Sequence, residues 1–328
     1  MTRALITTVP FGEVDPGSLG LLDEAGIAYV INPIGRRLTE DELVSLVPGF
    51  DVLIAGTEPL TERVMEAAPQ LRLISRVGVG LDSVDLLAAR ARGIAVAYTP
   101  EGPADAVAEL TIGLALSLLR GVYLANTAIR QGVWTRILGR RIAKVTVGVV
   151  GVGRIGRRVI RLLSAFGARI LANDLAPVAL DETVRWVDKP TLYREADVVT
   201  LHVPLTRLTR NLVGAEELAM MQPGALLINT CRGGVVNEAA LAAALRAGQI
   251  AGAAVDTFTH EPYHGELVNV DTCLITPHIG SMSVDCRVRM EDGAARNAVA
   301  FLRGEPLDQL GPESEYAMRA SETKPVEP

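Results

Sequence analysis

The sequence has little cysteine, and its three cysteines are scattered rather than paired. Cys231, Cys273 and Cys286 contain no Cys-x-x-Cys spacing, which argues against a disulfide framework and against a zinc site. We therefore expect no metal and a reduced, cytoplasmic protein. The sequence also lacks a dense basic tract and has a formal net charge of -6, so neither nucleic acid nor an anionic membrane is indicated as a partner.

Long uninterrupted apolar runs are missing as well. The longest apolar stretch, residues 107–125, contains Glu109 and Arg120 and predicts a buried helix rather than a membrane span. The first ten residues become polar too early for a signal peptide and predict a first strand. With 328 residues, of which 49% are hydrophobic, the chain can bury a large core, which we expect to be divided between two domains.

Strand-like and helix-like segments alternate along the first hundred residues. Short apolar runs predict strands at 4–9, 27–31, 52–55, 71–75 and 94–97. Helices are predicted between them at 17–25, 40–47, 61–68 and 83–92, with Thr39, Thr61 and Ser83 as N-caps and with Gly26 and Gly93 as helix ends. This alternation predicts a parallel sheet of the flavodoxin-like kind, covered by helices on both faces.

A second alternating series follows a long predicted helix at 104–128. Its strands are predicted at 145–150, 170–173, 198–202, 225–229, 252–257 and 274–276, a six-strand series of the doubly wound type. A helix at about 285–302 follows, and we expect the polar tail from Gly311 to lack fixed structure. The predicted fold class is α/β, with two doubly wound parallel-sheet domains formed by residues 1–99 plus 286–328 and by residues 100–285.

A glycine motif opens the second series. Gly151, Gly153 and Gly156 follow an apolar strand and precede an apolar-periodic helix. In this context Gly151 permits a tight turn, Gly153 lets the backbone approach a pyrophosphate, and Gly156 lets the helix pack closely on the strand. The helix N-terminus would offer N–H groups to the phosphates, and Arg154 could add a charged contact. The alternative is a glycine-rich turn without a ligand, which the strand and helix around it disfavour.

Asp174 indicates which dinucleotide the motif would bind. It ends the next predicted strand, eighteen residues after Gly156, close to the usual ~20. A carboxylate there can accept hydrogen bonds from both ribose hydroxyls and would repel a 2′-phosphate, and no Arg or Lys follows at 175–178. The sequence therefore predicts NAD rather than NADP. A turn or N-cap acid is the alternative interpretation of Asp174.

Three polar residues follow three of the later predicted strands: Arg232, Glu261 and His278. Because the carboxyl ends of parallel strands meet at one edge of the sheet, we expect these side chains to lie on the cofactor edge. Each has a plain alternative when taken alone: a surface arginine, a loop acid and a histidine hydrogen-bonded within its loop. Together a cation, a carboxylate and an imidazole beside a dinucleotide motif predict hydride transfer to or from an oxyacid.

Motifs along nearly the whole chain resemble those of the D-isomer-specific 2-hydroxyacid dehydrogenases. The motifs are Arg76-Val-Gly-Val-Gly80-Leu-Asp82, Ala106-Val-Ala-Glu109-Leu-Thr, Leu201-His-Val-Pro-Leu-Thr206, Ile228-Asn-Thr-Cys-Arg232-Gly, Glu261-Pro262 and Thr276-Pro-His278-Ile-Gly280. The similarity is greatest to the 3-phosphoglycerate dehydrogenase-like branch, without the C-terminal regulatory domain that some members carry. It implies a Rossmann NAD-binding domain, a separate substrate domain and a homodimer formed through the cofactor domain.

The resemblance also implies roles for individual residues. His278 would act as acid and base on the substrate oxygen, Glu261 would orient it, and Arg232 would bind the substrate carboxylate. Further substrate contacts would come from Arg76, Val79 and Gly80. Cofactor contacts beyond the glycine motif, Arg154 and Asp174 would come from Ile155, His202, Val203, Pro204, Thr230, Cys231, Asp256 and Gly280.

The implied substrate is a small anionic 2-oxo or 2-hydroxy acid, with or without a phosphate group. Arg76, Arg136, Arg140 and Arg141 are candidates for binding a second anionic group, and the alternative is that they are solvated loop arginines. The sequence departs from the family pattern at Glu101-Gly-Pro103, near the expected substrate entrance, so the identity of the acid is left open.

Two other functions stay open at this point. The same arginine, glutamate and histidine could support oxidation of another oxyanion such as phosphite, with water or hydroxide as the nucleophile. An NAD-sensing binding protein of the corepressor kind could also be built on this fold, although the complete catalytic set disfavours that hypothesis.

Overall fold

The structure, a computed structural model, describes residues 2–307 and 309–322. The chain divides into two compact units. The N-terminal unit comprises the described residues of Met1–Pro103 and Ser281–Pro328, and the central unit comprises Ala104–Gly280. The two crossings lie a few residues from the expected borders at 99/100 and 285/286, and the N-terminal unit is discontinuous in sequence.

The N-terminal unit contains a five-stranded parallel sheet. Its strands are β1 (Arg3–Ile6), β2 (Ala28–Ile31), β3 (Val52–Ala55), β4 (Leu73–Arg76) and β5 (Ala95–Ala97). They lie in the order β2-β1-β3-β4-β5, which is the flavodoxin-like order. Strands β3 and β4 are buried at every position, which explains why parallel strands of this kind appear in the sequence as short apolar runs.

Four short helices connect these strands: α1 (Gly17–Glu24), α2 (Glu40–Leu46), α3 (Glu62–Glu66) and α4 (Leu86–Ala91). Thr39 and Thr61 cap α2 and α3, as predicted. Helix α4 is capped instead by Asp85, so the prediction of Ser83 is wrong. The preceding residue, Val84, still takes part in an isolated β-bridge, and the helix can begin only beyond it.

Two helices that meet at a sharp bend precede the sheet of the central unit. They are α5 (Pro103–Arg120) and α6 (Val122–Arg130), and they are separated by Gly121 with a φ of 59°. The prediction of one helix over 104–128 is wrong because this glycine adopts the left-handed conformation, and the helices meet at 62°. Within the described part of the chain, no single helix is long and apolar enough to cross a membrane. Helices α5 and α6 have the length and composition of a membrane span only when they are taken together, as a bent pair.

The central unit contains a seven-stranded parallel sheet in the order β12-β11-β10-β9-β6-β7-β8. The elements are β6 (Thr146–Val150), α7 (Arg154–Ala165), β7 (Arg169–Asn173), β8 (Val184–Trp186), α8 (Lys189–Glu195), β9 (Val198–Leu201), α9 (Ala215–Met220), β10 (Leu226–Asn229), α10 (Glu238–Arg246), β11 (Gly252–Val255) and β12 (Cys273–Ile275). The six predicted strands are present, and β8 is an additional edge strand. The strand order reverses between β6 and β9, where ligands bind in open α/β sheets.

Apolar clusters cover both faces of the central sheet. Side chains of α5 and α7 pack on one face, and side chains of α8, α9 and α10 pack on the other. Neighbouring strand residues alternate between the two clusters, as Leu227 and Ile228 do. The predicted fold class, two doubly wound α/β domains, is confirmed.

Two further helices complete the N-terminal unit: α11 (Val284–Arg303), which packs on β3 and β4, and α12 (Glu313–Glu322). The expectation that the tail lacks fixed structure is wrong for α12, because Tyr316 is buried and the Arg90 guanidinium lies 3.6 Å from its ring centroid. The rest of that tail, residues 323–328, lies outside the described residues.

Candidate active site

The glycine motif forms the turn between β6 and α7. Gly151 has a φ of 92°, and a Cβ there would lie less than 3.0 Å from the His202 carbonyl oxygen. A Cβ at Gly156 would lie even closer to the Gly151 carbonyl oxygen, so α7 can approach β6 only with glycine at this position. A Cβ at Gly153 would meet nothing within 4 Å, so this part of the turn is open above the backbone. The three glycines therefore form a cradle of the shape that a pyrophosphate requires.

The first turn of α7 faces this cradle with its positive end. Gly153 is the N-cap and offers no side chain to the first N–H groups of the helix. Arg154 is exposed and Ile155 half-buried in that first turn. The N–H groups of a helix N-terminus and the helix dipole together favour an anion at this end, so the donor set fits a phosphate group.

Asp174 lies beside the glycine turn, immediately after β7. Its Oδ2 accepts a hydrogen bond from the Val152 N–H at 2.6 Å, and its Oδ1 lies 3.3 Å from the Ala176 N–H. The carboxylate is thus held against the same turn that forms the cradle, and its contact with a ribose stays a prediction. No Arg or Lys lies within the next four residues to accommodate a 2′-phosphate.

His202 closes the other side of the crevice, at the end of β9. Its Nε2 lies 2.9 Å from the Thr200 hydroxyl, and its Nδ1 is buried without a hydrogen-bond partner. Burial lowers the pKa of His202 to about 3, so the ring is neutral at ordinary pH. Val203 is half-buried and Pro204 exposed directly after it. Residues 202–204 and the glycine turn therefore line the switch point between β9 and β6.

A tight turn after β10 carries Arg232. The Asn229 side chain holds this turn, since its Oδ1 accepts from the Cys231 N–H at 3.1 Å and its Nδ2 donates to the Arg232 carbonyl at 3.0 Å. Thr230 is buried, with its hydroxyl 2.9 Å from that of Thr111. Burial raises the pKa of the Cys231 thiol, which keeps it protonated and unreactive. The Arg232 side chain is half-buried, and its Nη1 donates to the Cys231 carbonyl at 2.7 Å.

His278 and Glu261 form a close pair after β12 and β11. The imidazole Nδ1 lies 2.9 Å from Glu261 Oε2 and 3.0 Å from Oε1, and the Phe258 N–H donates to Oε1 at 3.0 Å. His278 has a φ of 53°, an uncommon conformation for a non-glycine residue and one that is often found at functional sites. The imidazole is 34% exposed, so with Nδ1 occupied the opposite nitrogen, Nε2, can meet a substrate.

Asp256 fixes the turn that carries His278. Its Oδ1 accepts from the Thr276 hydroxyl at 2.6 Å and from the Ile279 N–H at 2.8 Å, and its Oδ2 accepts from the Gly280 N–H at 2.9 Å. Burial of this carboxylate raises its pKa. The resemblance implied a cofactor contact for Asp256 and Gly280. In the structure these two residues are hydrogen-bonded to each other within the turn that carries His278. The cofactor contact stays a prediction.

Gly233 is a residue of the site that the sequence reasoning missed. A Cβ at this position would lie far less than 3.0 Å from the Phe258 carbonyl carbon and oxygen. The turn that carries Arg232 therefore lies directly against the segment that carries Glu261, and only glycine permits this distance. The Gly-Gly pair after Arg232 was the available signal.

The loop after β4 contains the substrate residues predicted on the N-terminal unit. Arg76 is buried, and its guanidinium donates to the Gly80 carbonyl at 3.0 Å, the Val77 carbonyl at 3.2 Å and the Ala55 carbonyl at 3.3 Å. Arg76 thus braces its own loop, in which Val79 is half-buried. Contacts of Arg76, Val79 and Gly80 with a substrate stay predictions.

One of the four arginines proposed for a second anionic group, Arg140, lies away from the candidate site. Arg140 donates to Asp197 Oδ1 at 2.9 Å and to the Gly224 carbonyl at 2.6 Å. Asp197 immediately precedes β9, so Arg140 lies at the amino edge of the sheet, opposite the candidate site, and its proposed role is wrong. Arg136 and Arg141 are exposed. In the described part of the chain, no group of three or more His, Cys, Asp or Glu side chains could hold a metal ion.

Comparison with known proteins finds one matching family model and several similar chains. Residues 112–280 match the family model described as the D-isomer specific 2-hydroxyacid dehydrogenase, NAD binding domain. The chain is 40% identical to the glyoxylate reductase of Thermofilum pendens over 304 residues, 89% of each chain. It is 37% identical to the D-3-phosphoglycerate dehydrogenase of Synechocystis over 276 residues, 82% of this chain and 50% of that protein. The crystal structure of the TT0316 protein from Thermus thermophilus is similar with a TM-score of 0.87 and 36% identity, over 94% of this chain and 99% of that one.

Proposed function

Because this chain belongs to the D-isomer-specific 2-hydroxyacid dehydrogenases, we propose that it interconverts a small 2-oxo acid and its D-2-hydroxy acid. Members of this family are NAD-binding oxidoreductases that act on CH–OH donors. The proposed catalytic residues are His278, Glu261 and Arg232. The observation that carries the proposal is the imidazole held at Nδ1 by both Glu261 oxygens, on the same sheet edge as the glycine cradle. The nicotinamide of bound NAD supplies or accepts the hydride at C2 of the acid.

His278 is the proposed acid and base. In reduction its Nε2 gives a proton to the oxygen on C2 as that carbon gains the hydride, and in oxidation it takes the proton back. Glu261 orients the ring so that Nδ1 keeps its proton and Nε2 faces the substrate, and its negative charge stabilises the positive charge on the ring. The pair would therefore transfer the proton to or from the oxygen on C2.

Arg232 is the proposed binding group for the substrate carboxylate. A guanidinium can form two parallel hydrogen bonds with a carboxylate, which fixes the orientation of the acid as well as its position. The short Arg232 turn, held by Asn229 and pressed against the Glu261 segment at Gly233, limits the movement of this cation.

NAD fits the cradle through residues of the central unit. The open backbone at Gly153 and the first turn of α7 would hold the pyrophosphate, and Asp174 would accept hydrogen bonds from the ribose. Arg154 and Ile155 would lie along the phosphates. His202, Val203, Pro204, Thr230, Cys231, Asp256 and Gly280 would line the remaining part of the cofactor crevice.

For the substrate, we propose a small 2-oxo acid of the glyoxylate or hydroxypyruvate type, and phosphorylated relatives of these acids as the second class. The similarity to a glyoxylate reductase supports the first class, and the similarity to a D-3-phosphoglycerate dehydrogenase supports the second. The position of Arg140 at the opposite sheet edge removes one candidate for a phosphate contact and favours the unphosphorylated acids.

The test is consumption of NADH by the purified protein with a panel of acids. The panel contains glyoxylate, hydroxypyruvate, phosphohydroxypyruvate and pyruvate, with NADPH in place of NADH and with His278→Ala as controls. We expect one of the first two acids to be turned over fastest, NADH to be preferred, and His278→Ala to bind NADH but to lose activity. Turnover of phosphite with NAD and of no 2-oxo acid would instead support the other-oxyanion hypothesis, and NADH binding without any turnover would support a sensing role.

We also propose that the protein is a homodimer formed through the central unit. No residue of helix α6 is fully buried, and the segment after it exposes large apolar side chains, with Trp134 79% and Leu138 101% exposed. Light scattering after gel filtration should give twice the chain mass of 34.9 kDa for the wild type. Trp134→Asp should give the single-chain mass, whereas Leu208→Asp, at an exposed apolar residue elsewhere in the central unit, should not. A wild type of single-chain mass would refute the proposal.

The three cysteines are free and buried, which supports the proposed cytoplasmic location.

A further inference from the structure

A carboxylate outside the proposed catalytic set holds the segment that carries Glu261. Glu238 is the first residue of α10, and its Oε1 accepts hydrogen bonds from both the Thr259 N–H at 2.7 Å and the Thr259 hydroxyl at 2.8 Å. Two donors from one residue on one carboxylate oxygen fix both the main chain and the side chain of Thr259.

Thr259 is part of a continuous series of contacts that leads to the imidazole. The neighbouring Phe258 N–H donates to Glu261 Oε1 at 3.0 Å, and both Glu261 oxygens contact His278 Nδ1. A shift of Thr259 would therefore move the N–H group that holds the Glu261 carboxylate. Contacts of this kind determine whether a catalytic carboxylate keeps the geometry that its partner needs.

Glu238 also connects this segment to the arginine turn. The chain reaches α10 through the Gly233–Gly234 pair directly after Arg232, and Gly233 lies against the Phe258 carbonyl. The Arg232 turn and the Glu261 segment are thus in contact at Gly233 and are hydrogen-bonded together again at Glu238. Two separate links restrain the two segments relative to each other.

We propose that Glu238 is a positioning residue for the catalytic pair, acting through Thr259 on Glu261 and His278. The proposal rests on the proposed function for its kinetic consequence, although the hydrogen-bonded connection itself does not. Glu238 does not touch the reacting atoms. Its role is to keep the Glu261 carboxylate at the distance from which it orients the imidazole.

Kinetics of three variants test this role. Glu238→Ala should lower kcat for 2-oxo acid reduction by about 10- to 100-fold and leave KM for NADH within about twofold. Glu238→Gln keeps an oxygen acceptor and should restore most of the lost kcat. Glu266→Ala removes an exposed carboxylate of the same unit, one that pairs with Arg246, and should behave as the wild type. Equal kcat in Glu238→Ala and Glu266→Ala, with both proteins folded, would overturn the proposal.

A double-mutant cycle separates positioning from a general loss of structure. If Glu238 acts through Glu261, Glu238→Ala should cost less than about threefold in kcat when Glu261 is already glutamine. The same loss in both backgrounds would mean that Glu238 acts on something other than Glu261, and the proposal would be wrong.

The hydrogen-bonded connection can also be followed without turnover. The chain has only four histidines, so nitrogen-15 labelling of histidine gives a small set of imidazole resonances, and His278→Ala assigns the relevant one. The His278 Nδ1 proton should be clearly visible in the wild type and in Glu238→Gln and should shift or disappear in Glu238→Ala. An unchanged resonance in Glu238→Ala would contradict positioning even if the wild type reduced no acid. A wild type without turnover but with the predicted resonance change would count against the proposed function alone.

Discussion

Replacing Gly233 with alanine should disable the site while leaving the cofactor cradle intact. The new Cβ would fall more than about 1 Å inside the 3.0 Å limit that real Cβ contacts respect, against the carbonyl carbon and oxygen of Phe258. Both partners are backbone atoms, so no side chain can rotate away to make room. The turn that carries Arg232 must therefore move away from the segment that carries Glu261.

The size of the effect follows from this displacement. A misplacement of about 1 Å in a catalytic group costs about 100-fold in rate, and overpacking of this kind costs about 1–3 kcal/mol in the free energy of unfolding. We therefore expect Gly233→Ala to fold, to melt a few degrees below the wild type, and to lose about 100-fold in kcat/KM for the 2-oxo acid. Affinity for NADH should fall much less than kcat/KM, because the glycine cradle lies after β6 and only Thr230 and Cys231 of the proposed cofactor contacts lie in the displaced turn.

The assay compares kcat/KM, NADH affinity and Tm for Gly233→Ala with those for Gly224→Ala. Gly224 is the matched control because a Cβ there would meet nothing within 4 Å and its φ is not in the left-handed region. A Gly233→Ala protein that keeps activity within about threefold of Gly224→Ala would refute the claim that close contact between the two segments sets the geometry of the site.

Three further results are expected. Gly156→Ala should weaken NADH binding by about tenfold or more, because its Cβ would meet the Gly151 carbonyl, and Gly113→Ala, which meets nothing, should bind normally in a fluorescence titration. Glu291→Ala should lower the free energy of unfolding in urea by about 3–5 kcal/mol, since Arg287 is then left buried without its carboxylate; a loss below 1 kcal/mol would contradict this. Burial lowers the pKa of His202 from 6.5 to about 3. Between these two pH values the unfolded chain therefore binds a proton that the folded chain does not bind. The free energy of unfolding then falls by up to about 1.4 kcal/mol for each unit by which the pH decreases. His202→Gln should therefore show a smaller fall in Tm from pH 7 to pH 5 than the wild type, and an equal fall would count against a buried neutral ring.

The strands were predictable because most of them are buried on both faces. A parallel strand between two helical layers appears as a short apolar run, and the runs at β3, β6 and β10 lie within a residue of the observed bounds. The edge strand β8 was missed because it has three residues and exposes Arg185 at its centre, so it has no continuous apolar pattern. Its existence depends on pairing with β7, which local sequence does not show.

The helix errors have equally local causes. The break at Gly121 lies in an apolar segment whose periodicity continues across it, so the pattern alone predicts one helix. Helix α12 is mostly polar, and it forms because Tyr316 packs against the N-terminal unit beneath Arg90. Tertiary contacts of this kind override a composition that is otherwise typical of a mobile tail.

For the site, the sequence indicated which residues lie at strand ends, and the topology then brings them to one edge. It could not indicate the links between the loops. Asn229 and Gly233 lie within a quoted motif and Glu238 lies outside any motif, but the contacts through which all three act across space cannot be derived from their positions in the sequence. Arg76 lies in a motif that suggested a substrate contact, which stays a prediction, and the sequence could not show that its guanidinium also donates to carbonyls of its own unit.

In the proposed reaction, hydride passes between NADH and C2 of an acid while His278 supplies the proton. The most direct measurement uses NADH with deuterium at the transferred position and detects the label in the product by mass spectrometry, for the wild type and for His278→Ala side by side. We expect one deuterium at C2 of a D-2-hydroxy acid with the wild type and no labelled product from the variant, although both bind NADH. Equal labelled product from both proteins, or none from the wild type with any 2-oxo acid, would contradict it.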